Sequence, residues 1–319
     1  MSSLRKKVFL YLLIPCLLLT PACSFGTAAE EKETLKIGYL PITHAAPLYI
    51  AKELEEELLH GVEVELIRFG TWIDLMDALQ AGRIDGASVL IELAMKSREK
   101  GIDLKAVALG HKDGNAIVVS HDVHETEDLQ GQTVAIPHTL SSHNILLYDM
   151  LKKDGLSYQD VNIVEMPPPE MPSSLAAGTI ASYIVAEPFG AIGVTLDQGK
   201  VLYQSEEIWP HSLCCALVLR NDVIEAHPEL VQSFINGYVK AGELAEEEEH
   251  VHSIHHEYLN VEEEALALSL EWISYEDFRI EEKDYDVLVD SLLEMELMDE
   301  PPLYEDFVDL TFLEEALAQ

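Results

Sequence analysis

The sequence predicts an α/β protein built from two similar lobes. From Leu35 onward, short apolar runs with strand character alternate with amphipathic segments of helical length, the order that parallel βαβ units produce. The same alternation restarts after Gly131. Two segments that begin at Leu79 and at Leu175, 96 residues apart, also resemble each other, and each contains a helix end, a glycine turn and a buried strand. That distance is too long for a solenoid repeat and indicates one such unit in each lobe.

The elements of the first lobe each have a local signal. The predicted strand that starts the body is followed by a turn at 41–47, and the second helix ends at Gly82, as a C-cap glycine would end it. The predicted order is strand 35–40, helical pattern through Leu59, strand 62–68, helix 72–81, helix 91–100 and strand 105–109.

The second lobe is predicted to contain a strand at 133–136 and a helix at 144–153. Two apolar runs, near 116–120 and 213–220, are predicted to cross between the lobes. From Asp222 onward, helices with Glu-rich exposed faces are predicted to pack back on the first lobe. The resulting division assigns residues 35–118 and 213–319 to lobe 1 and residues 119–212 to lobe 2.

Residues 1–22 have the pattern of an export signal. Three basic residues precede an apolar run at 8–19 that is too short to cross a bilayer as a helix. Ala22 directly before Cys23 resembles a lipobox, although Thr20 stands where a branched apolar residue is usual. Cys23 is therefore predicted to carry the lipid, and residues 23–34 are predicted to form a tether.

The alternative to lipidation is simple secretion, with cleavage near Ala28 or Ala29. Either route places the chain outside the cytoplasm. No later segment is apolar for long enough to cross a bilayer, so the lipid is the only membrane attachment that we expect.

The charge of the chain excludes nucleic acid as a partner. Acidic residues number 58 against 20 basic ones, which gives a formal net charge of −38, and such a surface repels phosphate backbones. Glutamates are spread along the predicted helices, which favours adaptation of an exposed protein to a salty or alkaline medium over acidic-substrate chemistry.

The cysteines give no metal or redox pattern. Cys16 leaves with the leader, and Cys214 and Cys215 are the two that remain in the body. Neighbouring residues on a strand point to opposite faces, so two buried thiols are expected rather than a disulfide. No cysteine spacing predicts zinc, and no metal site or cofactor is predicted.

The candidate binding residues follow the predicted strands. Ligands of open α/β sheets lie in the crevice beyond the carboxyl ends of the strands, and a cleft between two lobes collects several such loops. The candidate ligand-binding residues are Thr43, His44, Trp72, Ser88, Asn115, His138, Ser141, Ser142, Glu187 and His211.

Two kinds of ligand fit these loops. Backbone N–H groups at helix starts, with the hydroxyl and imidazole donors of Thr43, His138, Ser141 and Ser142, would bind an oxyanion without a formal counter-charge. A flatter apolar pocket for a heteroaromatic ligand is the alternative. Its lining would be Tyr39, Trp72, Phe189 and Trp209.

Other histidines have simpler interpretations. His143 is predicted to pack inside its helix. His252 and His256 stand four residues apart within a cluster that also contains His250 and His255, which would place two imidazoles on one helical face and would favour a metal importer. The adjacent glutamates, 246–249, make a solvated surface the simpler account.

Four segments carry a resemblance to a known family. They are Ile37 to Leu48, Leu79 to Gly86, Met166 to Met171 and Ala186 to Phe189. In this order they resemble the nitrate/sulfonate/bicarbonate group of ABC solute-binding proteins, which is often placed with proteins that bind pyrimidine precursors of thiamine. His44 departs from the pattern, because nitrate- and bicarbonate-binding relatives usually carry an acidic residue after the threonine of that loop.

The resemblance implies a type II periplasmic-binding-protein fold with two lobes joined by two crossing strands. It implies closure on a small molecule and docking on an ABC permease with its ATPase. The implied ligand is a small oxyanion such as nitrate, a sulfonate or bicarbonate, with a heteroaromatic vitamin or pyrimidine precursor as the alternative. An enzyme of the pyrimidine-synthesis type on the same fold is a second alternative. The sequence has no nucleophile elbow, Walker loop or Rossmann glycine triplet. No enzymatic activity is therefore predicted.

Overall fold

The computed structural model describes residues 33–247 and 251–319. The predicted leader, the predicted lipidation site Cys23, most of the predicted tether and His250 lie outside the described residues. Among the helices of the described ranges, none combines the length and the apolar character needed to cross a bilayer.

Strands and helices alternate along most of the described chain. The strands are β1 (Glu33–Tyr39), β2 (Val62–Arg68), β3 (Gly86–Leu90), β4 (Leu104–Leu109), β5 (Lys112–Asp113), β6 (Asn115–Val119), β7 (Thr133–Ile136), β8 (Asn162–Glu165), β9 (Ser182–Ala186), β10 (Lys200–Gln204), β11 (Cys215–Arg220) and β12 (Ile273–Ser274). The helices are α1 (Ala46–Glu53), α2 (Glu55–Leu58), α3 (Trp72–Gln80), α4 (Ile91–Glu99), α5 (Ser142–Lys153), α6 (Met171–Ala176), α7 (Phe189–Thr195), α8 (Ser205–Ile208), α9 (Asn221–Ala226), α10 (Pro228–Glu247), α11 (His252–Leu259), α12 (Glu263–Glu271), α13 (Glu282–Glu294), α14 (Tyr304–Phe307) and α15 (Thr311–Leu317).

Two five-stranded sheets with the same internal plan form the framework. The first sheet has the order β2-β1-β3-β11-β4, and the second, taken from its β8 edge, has the order β8-β7-β9-β6-β10. In each sheet the first three strands are parallel, and the last two run antiparallel to their neighbours. The α/β class and the prediction of two similar sheet-based halves are confirmed.

The two segments that resemble each other occupy the same place in the two sheets. Helices α3 and α6 each end just before a glycine in the left-handed region, Gly82 at φ +66° and Gly178 at φ +68°, a conformation that glycine adopts without steric cost. The strands that follow, β3 and β9, are fully buried and stand at the centre of their sheets. The glycine turn returns the chain to the sheet at the same point in both halves.

Helix starts are set by side-chain caps. The Thr71 hydroxyl accepts a hydrogen bond from the Asp74 amide, and α3 begins at Trp72 as predicted. The Ser141 hydroxyl accepts one from the Asn144 amide, so α5 begins at Ser142, two residues before the predicted start. A serine that caps a helix satisfies one of the free amides of the first turn, and this cap fixes the position of Ser142.

The segments that pass between the sheets differ from the predicted ones. The run at 116–120 falls largely in β6, which pairs with β9 and β10 inside the second sheet. The run at 213–220 falls largely in β11, which pairs with β3 and β4 inside the first sheet. Both runs are apolar because they are buried strands of a sheet. The chain instead passes between the sheets at 110–114 and 205–214.

The C-terminal helices pack against elements of the first sheet's half. Helix α10 packs on α1 and α15, and α14 and α15 contact β4. Phe234 and Tyr238 of α10 are fully buried, and the Tyr238 hydroxyl donates to the Leu109 carbonyl oxygen at 3.1 Å. This packing holds the first sheet rigid behind the loops that face the second.

Candidate functional site

Loops from the two sheets face each other across two adjoining cavities. One cavity, of about 310 Å³, lies between the loops after β1 and β2 on one side and the loops after β8 and β9 on the other. The second, of about 150 Å³, adds the start of α3 and the loop after β7. Their shared lining residues are Leu40, Gly70 and Pro168. The carboxyl ends of the parallel strands therefore meet in one cleft, the place where α/β sheets bind ligands.

One direct link closes the cleft at its base. Thr43, in the turn after β1, donates from its amide to the Glu187 carbonyl oxygen at 2.9 Å and from its hydroxyl to the same oxygen at 3.0 Å. Glu187 follows β9 of the second sheet. Both residues are fully buried, and these two bonds tie the two halves together beside the cleft.

The Glu187 side chain is held in a neutral form at this contact. Burial raises its pKa to about 8, and the hydrogen bond from the Ala191 amide opposes the rise. That amide donates to Oε2 at 3.0 Å, whereas Oε1 has no hydrogen-bond partner among the described residues. A carboxylic acid in this state has a proton on its free oxygen, and it can donate to a ligand.

Four ligand-type side chains converge beneath the cleft. His44 follows β1, His111 lies between the two sheets, and Cys214 and Cys215 lie at the start of β11. Each offers one nitrogen or sulfur, and these four atoms all lie within 4.8 Å of one another. We call these four residues the His–Cys group. All four are buried, and both thiols are free, as predicted for the cysteines.

Backbone carbonyls fix the ring orientations in the His–Cys group. The Nε2 atom of His44 lies 2.8 Å from the Gly114 carbonyl oxygen, and Nδ1 of His111 lies 2.8 Å from the Asp113 carbonyl oxygen. Because a carbonyl accepts and cannot donate, each of these nitrogens carries a proton in the neutral ring. The other nitrogens, Nδ1 of His44 and Nε2 of His111, then present lone pairs. The two rings stack with centroids 3.4 Å apart.

Burial and neighbouring groups shift the pKa values of His111 and of the two thiols. Burial and the neighbouring His44 lower the pKa of His111 to about 4. Burial raises the pKa of the Cys214 thiol, but the Cys215 hydrogen bond and the surrounding imidazoles outweigh that effect and bring the pKa well below its ordinary value. The pKa of Cys215 is raised by burial and by Cys214. Cys214 is therefore the thiol that ionises first.

Unpartnered polar groups surround the His–Cys group. Glu92 is fully buried beside Cys214 and Cys215, and burial raises its pKa well above the ordinary value, against the opposing effect of nearby amides. No hydrogen bond reaches either Glu92 oxygen, either ring nitrogen of His143, the Asn115 side-chain amide nitrogen or the Ser142 hydroxyl from any described residue. Buried polar atoms without partners are rare in folded proteins, and their concentration here indicates a place where a ligand completes the bonding.

The predicted site residues separate into three sets. Thr43, His44, Asn115, Ser142 and Glu187 are buried and do not line either cavity of the cleft. Trp72 and His138 line the smaller cavity at its mouth. Ser141 and Ser88 are buried, but the Ser141 hydroxyl is used by the α5 cap and Ser88 lies inside β3.

His211 is not brought to the cleft. It is exposed, with φ +61°, and lines a separate cavity of about 250 Å³ together with Lys112 and Asp113. Its position just before β11 predicted a place near the strand ends, but the chain at 205–214 is passing between the sheets at that point.

The surface histidine cluster also divides. His255 is fully buried, and its Nδ1 atom lies 2.9 Å from the Tyr49 hydroxyl oxygen. His252 is partly exposed beside Glu263, and His256 is exposed. The i, i+4 pair therefore lies on one face as predicted, and His255 is part of the core.

Several residues of the site were not predicted from the sequence. His111 lies in the segment between β4 and β5, and it was not among the predicted binding residues. Glu92 stands in the first turn of α4, directly after the buried strand β3, and that position is the signal that would have identified it. His143 was predicted to pack, and it does so against the His–Cys group.

Comparison with known proteins gives a consistent family. Residues 28–256 match the model of the NMT1-like family. The ligand-binding component of an ABC-type import system from Staphylococcus aureus, whose 2.0 Å crystal structure has zinc bound, is 39% identical, with a TM-score of 0.85 over 89% of this chain and 99% of that chain. These matches confirm the predicted resemblance at the level of the family.

More distant relatives show the fold. The periplasmic nitrate-binding protein NrtA from Synechocystis is 18% identical, with a TM-score of 0.81 over 90% of this chain and 89% of that chain, and the type II periplasmic-binding-protein fold is confirmed. The nitrate import ATP-binding protein NrtC of Synechocystis sp. is 29% identical over 248 residues, which is 71% of this chain and 37% of the relative. This chain thus spans little more than a third of that relative's length.

Proposed function

Because the chain belongs to the NMT1-like family, we propose that it is the extracytoplasmic solute-binding component of an ABC importer. The observation that carries this function is the cleft between the two sheets, together with buried polar atoms of Asn115, Ser142 and Glu187 that have no hydrogen-bond partner among the described residues. A receptor that captures a small molecule between two halves needs such atoms, because the ligand satisfies them when it binds.

The proposed mechanism is closure of the two halves on the ligand. A ligand that contacts both halves binds the closed form more tightly than the open form. This difference in affinity shifts the equilibrium from the open to the closed form. Thr43 and Glu187 already contact each other across the cleft, so the described structure corresponds to a closed form. Closure would present a joint surface to the permease and its ATPase, and lipid on Cys23 would keep the receptor at the membrane.

The proposed ligand is a small oxyanion such as nitrate, a sulfonate or bicarbonate. Buried neutral donors support this choice, namely the Asn115 amide, the Ser142 hydroxyl and the protonated Glu187 carboxyl. The nitrate proteins of Synechocystis among the relatives support the same class. Hydrogen-bond donors in a buried site hold an anion without a formal positive charge.

A transition-metal ion is the second candidate ligand. The Staphylococcus aureus structure has zinc bound, and the His–Cys group of this chain supplies two imidazoles and two thiols. A heteroaromatic ligand remains a third choice, since Trp72 and Phe189 line the two cavities at the mouth. The role of an enzyme is not supported, because the matched relatives belong to import systems.

A thermal-shift screen tests the oxyanion proposal. A ligand at about 100 times its dissociation constant stabilises the folded protein by about 2.7 kcal/mol. Nitrate, bicarbonate and taurine are expected to raise the melting temperature, and Asn115→Ala is expected to remove the effect, while Glu63→Gln on the exposed face of β2 leaves it unchanged. Stabilisation by pyrimidines alone, with every oxyanion inactive, would contradict the proposed ligand class.

A further inference from the structure

We propose that His44, His111, Cys214 and Cys215 form a binding site for a thiophilic divalent ion of the Zn²⁺ type. This inference rests on the metal alternative of the proposed function, which uses the same four side chains, and it gives that ion its complete ligand set. All four are buried at the junction of the two sheets, beneath the cleft and away from the exposed histidines of α11.

The spacing of the ligand atoms fits tetrahedral zinc. The Cys214 sulfur lies 3.7 Å from Nδ1 of His44 and 4.0 Å from the Cys215 sulfur. With Zn–S near 2.3 Å and Zn–N near 2.05 Å, a tetrahedron has edges of roughly 3.6 Å for sulfur to nitrogen and roughly 3.8 Å for sulfur to sulfur. These two of the six edges exceed the ideal values by about 0.1 and 0.2 Å, and all four ligand atoms lie within 4.8 Å of one another.

The histidines are already in the orientation that metal binding needs. The nitrogens that face the cysteines are Nδ1 of His44, 3.7 Å from the Cys214 sulfur, and Nε2 of His111, which accepts a hydrogen bond from the Cys215 amide at 3.4 Å; the opposite nitrogens donate to the carbonyls of Gly114 and Asp113. Metal binding at His111 replaces that long hydrogen bond. Metal-bound histidines almost always donate their other N–H to a carbonyl or carboxylate, which fixes the ring and its tautomer. Here both outer acceptors come from one short segment between the sheets.

The charge around the group is compatible with a divalent ion. Glu92 lies near both cysteines and is fully buried. A buried carboxyl group is costly unless it is neutral or has a positive charge nearby. A divalent ion held by two thiolates and two neutral imidazoles has no net charge, so a neutral Glu92 can remain beside it without an uncompensated charge.

The donor set selects the class of ion. Two sulfurs and two imidazole nitrogens in a tetrahedral arrangement are typical of zinc, whereas magnesium and calcium prefer six or more oxygens. Four protein ligands leave no open position, which is the pattern of a site that holds the ion firmly rather than one that activates water.

Cobalt substitution tests the site. The metal-free full chain, kept reduced, is titrated with Co²⁺ and then with Zn²⁺. The expected result is one equivalent of tetrahedral Co²⁺, seen as strong visible bands and a thiolate-to-cobalt charge-transfer band, which one equivalent of Zn²⁺ displaces. Cys214→Ser and His111→Ala are each expected to weaken Zn²⁺ binding by more than the roughly 10- to 100-fold that loss of an outer-shell partner costs.

Two control variants exclude other metal-binding groups. The first control, His252→Ala/His256→Ala, removes the histidine pair of α11. The second control, Cys16→Ser/Cys23→Ser, removes the two other cysteines of the sequence. Both variants are expected to retain the cobalt spectrum. Circular dichroism of each variant without metal confirms that it is folded, and the spectrum of the unaltered chain decides the question if Cys214→Ser does not fold.

The proposal is overturned if the unaltered chain gives no charge-transfer band, or if either control variant loses it while Cys214→Ser keeps it. Oxyanion stabilisation is measured separately by the melting temperature, so a failed anion screen and a failed cobalt titration give different results.

Discussion

Replacing Glu187 by glutamine should make the stability of the protein less dependent on pH. Glu187 is fully buried, and its pKa is raised to about 8 from an ordinary value of 4.5, mainly by burial. A raised carboxyl pKa means that the folded state binds the proton more tightly than the unfolded state does. Its contribution is therefore complete below about pH 4.5 and is lost as the pH rises through about 8.

The size of this stability contribution follows from the difference between the folded-state and unfolded-state pKa values of Glu187. Each pH unit between the two pKa values corresponds to about 1.4 kcal/mol, so the whole contribution is on the order of 5 kcal/mol. Glutamine has nearly the same shape as the protonated acid, and its oxygen can accept from the Ala191 amide as Oε2 does. Glu187→Gln is expected to match the parent chain at pH 5 and to exceed its stability at pH 9.

Denaturant unfolding of both proteins at pH 5, 7 and 9 measures this difference. Groups that do not sense Glu187 cancel in the comparison, whereas the pKa of Tyr183, which Glu187 raises, falls slightly in the variant but stays above the range tested. Glu63→Gln on the exposed face of β2 is the matched control and should show a constant difference. A Glu187→Gln difference that stays constant from pH 5 to pH 9, or that favours the parent chain at pH 9, would refute the buried neutral acid.

Three further predictions concern the same junction. Gly190→Ala would place a Cβ atom 2.2 Å from Oε1 of Glu187, and it is expected to destabilise the protein by about 1–3 kcal/mol in denaturant unfolding. In the control Gly70→Ala the new Cβ atom meets nothing within 4 Å, and stability should change by less than about 0.5 kcal/mol. Equal effects of the two substitutions would contradict the close packing around Gly190. Thr43→Val removes the hydroxyl hydrogen bond across the cleft and is expected to lower the free energy of unfolding by about 1 kcal/mol. It is also expected to weaken anion binding, measured by calorimetry, about fivefold. Unchanged binding would show that this hydrogen bond does not hold the closed form. Ser141→Ala removes the α5 cap and should lower the unfolding free energy by about 1 kcal/mol, and no loss would mean that the cap is replaced by water.

Much of the fold could be predicted because its signals are local. The periodicity of strands and helices, the caps at Thr71 and Ser141, and the glycine turns at Gly82 and Gly178 all act within a few residues. The partners of the two antiparallel strands could not be predicted in this way. An apolar run such as β6 or β11 indicates burial, but not which sheet buries it.

The site was harder to predict because its members are far apart in the chain. His44, His111 and Cys214 come from three separate segments, and only the folded sheets bring their ligand atoms within 4.8 Å. The alternation rule for strands also gave the wrong direction for the thiols. Strand β11 begins at Cys215, so Cys214 precedes the strand, and the two sulfurs lie 4.0 Å apart rather than on opposite faces.

A ligand-dependent distance between the two sheets tests the proposed receptor most directly. Spin labels on exposed residues of each sheet, Glu63 in β2 and Asn162 in β8, would report their separation by pulsed electron resonance. The account predicts a broad distribution without ligand that becomes shorter and narrower when nitrate, bicarbonate, taurine or Zn²⁺ binds. A distribution that stays the same for every ligand that binds would contradict closure of two halves on a captured solute.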